Sequence, residues 1–172
     1  MTVTIPVFSD SHGRGHRVSE VIERLNNCGE GGVRVALFLG DGMHDLAPAI
    51  PEGCSLLAVA GNCDLYDHLY DSEGNVIPDD RVEFIGGLRI FMTHGHKYSV
   101  KGGYGAAIAR ARRLNADILL FGHTHLPFTD YLPPDGAFNK PLYVMNPGSL
   151  RDGSFGVITI SDGTPLLSLG RL

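Results

Sequence analysis

Residues 122–125 read Gly-His-Thr-His, and two histidines around a threonine directly after a glycine constrain this chain more than any other stretch. The preceding Ile118-Leu119-Leu120-Phe121 is a short apolar run of the kind that forms a buried strand. Gly122 would end that strand, so His123 and His125 would leave from the irregular segment beyond its carboxyl end, the edge at which open α/β sheets place their ligands. A pair of histidines can also cap a strand or bond to one another, so the motif alone decides little. The same design recurs four more times, as VFSDSH at 7–12, LFLGD at 37–41, AVAGNCD at 58–64 and IFMTHGH at 90–96. Each apolar run stops at Asp, His or Asn. Buried carboxylates and imidazoles are costly unless paired or coordinated, so five such strand ends point to metal coordination rather than to core packing.

The rest of the composition narrows the setting. A chain of 172 residues is long enough to bury a proper core and reads as one domain, residues 1–172. The formal net charge of -5 argues against non-specific nucleic-acid binding, which needs a basic surface. It leaves a nucleotide substrate open, because metal ions supply positive charge locally. Three cysteines, Cys28, Cys54 and Cys63, contain no C-x-x-C pair and suggest neither a disulfide framework nor a structural zinc site. No run is apolar for the roughly 20 residues that a membrane span needs, and the N-terminus lacks the pattern of a leader. The expectation is a cytoplasmic protein with free thiols.

Taken in order, TVTIPVF is an extended run in which Pro6 suggests an edge strand or a missing ladder bond. Val18, Val21, Ile22 and Leu25 have helical spacing, VRVALFLG is continuous as in a sheet covered on both sides, and CSLLAVAG is a third strand. RVEFIGGLRIFMTH reads as a hairpin turning at Gly86-Gly87, and SFGVITISDGTPLLSL as another turning at Asp162-Gly163. Residues 101–115 read as a helix whose closing Arg110, Arg112 and Arg113 are solvated. The first half reads as α/β and the second as mostly antiparallel, which predicts two sheets packed face to face with helices outside. The polar stretch 65–80 and the loop 127–141 would shape a pocket.

DSH, GD, GNCD, THGH and GHTH, in that order, with NPGS at 146–149, resemble the motif series of the calcineurin-like metallophosphoesterases, and within them the small bacterial and archaeal phosphodiesterase branch. The resemblance covers nearly the whole chain. It implies an α/β fold, a four-layer αββα sandwich of two mixed β-sheets flanked by helices, that carries two divalent transition-metal ions at its sheet ends. By matching motifs, Asp10, His12 and His125 would hold one ion and Asn62, His94 and His123 the other, with Asp41 bridging. Oxygen and imidazole donors without thiolate suit manganese first, and also nickel, zinc, iron or magnesium. The implied activity is hydrolysis of a small phosphoester by a metal-activated water attacking phosphorus in line.

Many members of that family read G-N-H-[DE], whereas this chain has Cys63 where the histidine assists the leaving group. His96 and His68 are the available replacements, and Asn62 and His96 are the candidate catalytic contacts, His96 as general acid or phosphate contact. His16 and His44 read as surface or supporting histidines, Asp64 as a residue that orients a ligand or caps a turn, Cys28 and Cys54 as core or turn residues, and NPGS either as only a strand-ending turn or as one whose glycine and free amides approach a phosphate. A retromer subunit of similar fold works mainly through protein contacts, so a protein-interaction scaffold is the alternative. A homo-oligomer is also allowed. The H-x-H-x-D-H string of another metallohydrolase class is absent, and a barrel amidohydrolase needs about 250 residues.

Overall fold

In the computed structural model the described residues are 2–28, 32–46, 49–64, 70–71 and 74–172. Among these residues ten strands form two five-stranded sheets. The first has the order β10-β9-β1-β2-β3, built from β1 (Thr2–Phe8), β2 (Val35–Phe38), β3 (Ser55–Ala58), β9 (Ser154–Ser161) and β10 (Thr164–Arg171). The second has the order β4-β5-β6-β8-β7, built from β4 (Asp80–Ile85), β5 (Leu88–Thr93), β6 (Ile118–Phe121), β7 (Phe128–Leu132) and β8 (Leu142–Asn146). Among the described residues the α-helices are α1 (His16–Cys28) and α2 (Gly105–Arg113).

The alternation of side chains along each strand sorts the core into three layers. Ile5 and Val7 of β1, Leu37 of β2, Ile90 and Met92 of β5, Ile118 and Leu120 of β6, and Ile158 of β9 meet between the sheets. Their neighbours point the other way: Phe8, Ala36 and Phe38 pack on Val18, Val21 and Ile22 of α1. On the second sheet Phe91, Leu119, Phe121 and Val144 pack on Ala107 and Ala111 of α2. The order of layers is therefore helix, sheet, sheet, helix, as the motif resemblance implied. Each fully buried aliphatic side chain favours this arrangement by about 1.5–3 kcal/mol relative to exposure.

Both hairpins form where the glycines indicated, with Gly86 (φ 60°) and Gly87 (φ 83°) turning one and Asp162 (φ 49°) and Gly163 (φ 77°) the other. Of the two alternatives at Pro6, the edge is excluded and the missing ladder bond holds: β9 returns from the far end of the chain to pair with β1, which leaves β1 in the middle of its sheet. Pro6 is tolerated because the ladder to β2 on the other side begins only at Val7. The later strands pair mostly antiparallel, as expected, β4 with β5, β7 with β8, and β9 with β10 and β1, while β5, β6 and β8 form a parallel centre that makes the second sheet mixed.

Parallel strands end together. The backbone bond from Leu150 N to Ser9 O (2.9 Å) ties the carboxyl end of β8 to that of β1 in the other sheet, and the bond from Gly122 N to His94 O (3.1 Å) extends the pairing of β5 and β6 within the second sheet. Replacing Leu37, buried between the sheets, by Ala is expected to destabilise the protein by about 2–5 kcal/mol, whereas Leu169→Ala on the exposed side of β10 should stay within about 0.5 kcal/mol. Urea unfolding of the two variants measures this, and equal losses would contradict the layer assignment.

Candidate metal centre

The strand ends leave their sheets through strained backbone. Eight non-glycine residues among those described have positive φ, and five of them are Asp10 (55°), His12 (42°), Asp41 (62°), His123 (66°) and His125 (60°). Such conformations cost on the order of 1–3 kcal/mol each and persist only where the surroundings enforce them. The motif glycines explain part of the enforcement. A Cβ on Gly61 would lie 2.1 Å from Asp41 Oδ1, and one on Gly122 would lie 1.9 Å from Ser9 Oγ. Only glycine lets these loops approach so closely.

The described side chains gather into two groups whose metal-type atoms lie within 4.8 Å of one another, Asp10 with His12 and His125, and Asp41 with His94 and His123. In the first, Ser9 Oγ (2.5 Å) and the His123 amide (3.1 Å) both donate to Asp10 Oδ2. Asp10 Oδ1 is buried, has no hydrogen-bond donor, and faces His125 Nε2 at 3.0 Å and His12 Nε2 at 3.7 Å. An orphaned carboxylate oxygen between two imidazole nitrogens is what a cation would satisfy.

In the second group His94 Nδ1 lies 2.7 Å from the Leu39 carbonyl, to which only a protonated nitrogen can donate. That bond turns Nε2 inward, 3.1 Å from His123 Nδ1, 3.2 Å from Asn62 Oδ1 and 3.3 Å from Asp41 Oδ2. A histidine fixed through its other nitrogen by a backbone carbonyl is the usual support of a metal-binding imidazole. Four donor atoms of oxygen and nitrogen character thus converge, a set that fits a divalent transition metal.

The charges of the two groups act on one another. Burial works against charging His94, but Asp41 and Asp10 outweigh it and raise its pKa. Burial would likewise raise the Asp41 carboxyl, yet the hydrogen bond and charge of His94 and the Cys63 amide hold it well below the usual carboxylate range. His123 is pushed down to about 4 by burial first, then by the positive charges of His94 and Lys101.

Asp64 acts as the orienting residue anticipated from its place in GNCD. Its Oδ1 accepts the Gly42 (2.8 Å) and Met43 (3.0 Å) amides and its Oδ2 those of Asp41 (2.9 Å) and Gly61 (2.7 Å), so one carboxylate ties the end of β2 to the end of β3. Cys63 donates its amide to Asp41 Oδ1 (2.7 Å), and its exposed thiol lies 3.2 Å from Asn62 Nδ2. Partial burial, then Asp41, Asp64 and Asp10, push that thiol up to about 11.

His96 stands next to the second group, its ring 5.4 Å from that of His94 and 6.2 Å from that of His123. Burial and then the His94 charge lower its pKa. His16 and His44 are exposed, and His68 lies outside the described residues. Other readings change. Arg112 is buried rather than solvated, because it donates to the carbonyls of Lys140, Leu132 (3.3 Å) and Pro133 (3.2 Å) and stacks on Phe138. The Gly148 amide of NPGS is not free for a phosphate, since it donates to Asn146 Oδ1 at 2.9 Å. Cys28 ends α1 exposed. Sequence reasoning passed over Ser9, which locks Asp10; the run of polar residues at 9–11 directly after apolar β1 was its available signal.

The calcineurin-like phosphoesterase superfamily domain matches residues 3–162. The chain belongs to this superfamily. It is 27% identical over 149 residues to the probable metallophosphoesterase YsnB of Bacillus subtilis, covering 87% of this chain and 76% of that protein. It is 28% identical over 158 residues to the phosphodiesterase YfcE of Escherichia coli K12, covering 83% and 76%. Among solved structures, a predicted phosphoesterase of Streptococcus pneumoniae superposes with a TM-score of 0.73 at 27% identity, over 99% of this chain and 90% of that one. Vacuolar Protein Sorting 29 of Cryptosporidium parvum shares the fold, with a TM-score of 0.70 at 16% identity over 99% and 98%. Members of the superfamily bind divalent metals, and the two groups of residues described above are where this chain could hold them.

The charge around Cys63 is directly testable. In a Cys28→Ser/Cys54→Ser background with chelator present, alkylation of Cys63 is expected to accelerate only above the ordinary thiol range, and Asp41→Asn should move that rise to lower pH by removing a carboxylate that disfavours the thiolate. An unchanged alkylation profile would show that Asp41 does not act on the thiol.

Proposed function

We propose that this chain is a phosphodiesterase that works with two divalent transition-metal ions, manganese foremost. One ion is held by Asp10, His12 and His125, the other by Asn62, His94 and His123, and Asp41 reaches both. The observation that carries this reading is the convergence of the two donor groups on one edge, with the buried Asp10 Oδ1 left without a hydrogen-bond donor. Bound cations supply a water whose pKa falls from about 15.7 toward 7 and neutralise the phosphate oxygens. The remaining work falls to the side chains. Ser9 and the His123 amide fix Asp10, the Leu39 carbonyl fixes His94, and Asp64 fixes the Asp41 loop.

The proton balance shapes the choice of substrate. Cys63 is a neutral thiol at neutral pH and His96, with its lowered pKa, is a neutral imidazole, so neither carries the ready proton of an imidazolium. Esters whose leaving group departs without a proton are therefore favoured. Asn62 and His96 border the second group and are the side chains that would contact the phosphate. The substrate class is a small phosphoester, a nucleotide included. A second reading, a protein-interaction scaffold, draws on the shared fold with Vacuolar Protein Sorting 29. A protein that holds both ions yet hydrolyses no phosphoester would favour it.

Hydrolysis of bis(p-nitrophenyl) phosphate is expected with Mn²⁺ and should vanish with excess chelator, and Asp41→Asn should be the most damaging single change. Equal turnover in chelator would sink the proposal. Because Asp41 and Asp10 raise the proton affinity of His94, protons compete with the cation, so Mn²⁺ affinity should fall as pH drops through that raised pKa. Affinity independent of pH from 5 to 8 would contradict the assigned ligands.

Cys63→His should place an imidazole near the leaving oxygen and raise turnover of alkyl more than aryl phosphodiesters, up to the roughly 10²–10⁴-fold that a good general acid contributes. Absence of any selective gain would show that Cys63 points away from the leaving group or that His96 already serves it. A parallel His96→Ala variant separates these, since only in the second case does it cost the alkyl ester far more than the aryl one.

A further inference from the structure

The two ligand groups share one short segment. In the second sheet β6 and β7 flank β8, so residues 122–127, which join β6 to β7, must arch over the carboxyl end of β8. The last residue of β8 is Asn146, fully buried beneath that arch and paired with Phe128, the first residue of β7. Its Nδ2 donates both to the Gly122 carbonyl (2.9 Å) and to Thr124 Oγ1 (2.9 Å), and its Oδ1 accepts the Gly148 amide (2.9 Å).

The arch is poorly held by its own backbone. Thr124 N donates to Gly122 O at 2.8 Å around His123 at φ 66°, a three-residue turn of the strained hand, and His125 follows at φ 60°. Thr124 Oγ1 accepts the Leu126 amide at 3.2 Å, so this hydroxyl links Asn146 to the descending side of the arch. His123 belongs to one donor group and His125 to the other. We infer that Asn146, acting through Thr124, is the positioning residue that sets the two histidines relative to each other and so couples the two cation sites. Neither residue touches a cation. This rests on the two-cation reading of the centre.

Calorimetric titration of the metal-free protein with Mn²⁺, combined with electron paramagnetic resonance of the loaded form, tests the inference. Thr124→Val keeps the shape of the side chain but removes the acceptor, and Thr124 is only partly buried, so folding is not at risk. Thr124→Val and Asn146→Ala should each bind Mn²⁺ roughly 10- to 100-fold more weakly, the range seen when a residue supporting metal ligands is lost, and should lose the exchange-coupled signal of a paired manganese centre. Thr124→Ser, which retains the hydroxyl, should keep both the affinity and the signal. A merely structural role would lower the melting temperature of Asn146→Ala and leave affinity and coupling in Thr124→Val untouched, which would overturn the inference. Should Asn146→Ala fail to fold, Thr124→Val decides. Wild-type protein that binds fewer than two ions would instead overturn the two-cation reading, and the inference with it.

Discussion

Electron-rich atoms do not gather unaided. Asp10 Oδ1 faces two imidazole nitrogens, and His94 Nε2 faces a carboxylate, an amide oxygen and another imidazole, all at 3.0–3.7 Å. The surrounding fold holds such a set in place, and Asp41 and Asp10 raise the proton affinity of His94 within it. The rest of the molecule is arranged to hold it. Two sheets end at one edge, five of the residues concerned accept left-handed backbone, and glycines sit where any Cβ would collide with Ser9 or Asp41.

The supporting bonds follow a common plan in which one polar side chain, partly buried in Asp64 and fully buried in Asn146, serves several neighbouring groups. Asp64 takes four amides across the ends of β2 and β3, and Asn146 serves Gly122, Thr124 and Gly148 across the ends of β6 and β8. Hydrogen bonds to a charged acceptor contribute about 1.5–3 kcal/mol each, enough in combination to stabilise the strained turns. Rigidity of this kind matters for a metal site because its ligands must keep their geometry whether or not the ion is present.

The sequence made the strand ends legible for a local reason. An apolar run that stops at Asp, Asn or His carries its own boundary, and Asp10, Asp41, His94, His123 and His125 were all readable that way. Asp64 could be anticipated as an orienting residue because it stands two positions from Asn62. What escaped was non-local. Pro6 suggested an edge because nothing near it announces that β9, about 150 residues later, closes on β1. Apolar strands carry no mark of direction, which hid the parallel centre of the second sheet. Arg112 and Asn146 find their acceptors 20–28 residues away, so their burial shows only once the chain is folded.

The central claim is that these strand ends form two adjacent cation sites. Anomalous scattering from a crystal of the manganese-loaded protein addresses it most directly. Two peaks roughly 3.5–4 Å apart are expected, one bordered by Asp10, His12 and His125 and the other by Asn62, His94 and His123, with Asp41 between them. A single peak, or peaks bound elsewhere with Asp10 Oδ1 still unpartnered, would contradict the account.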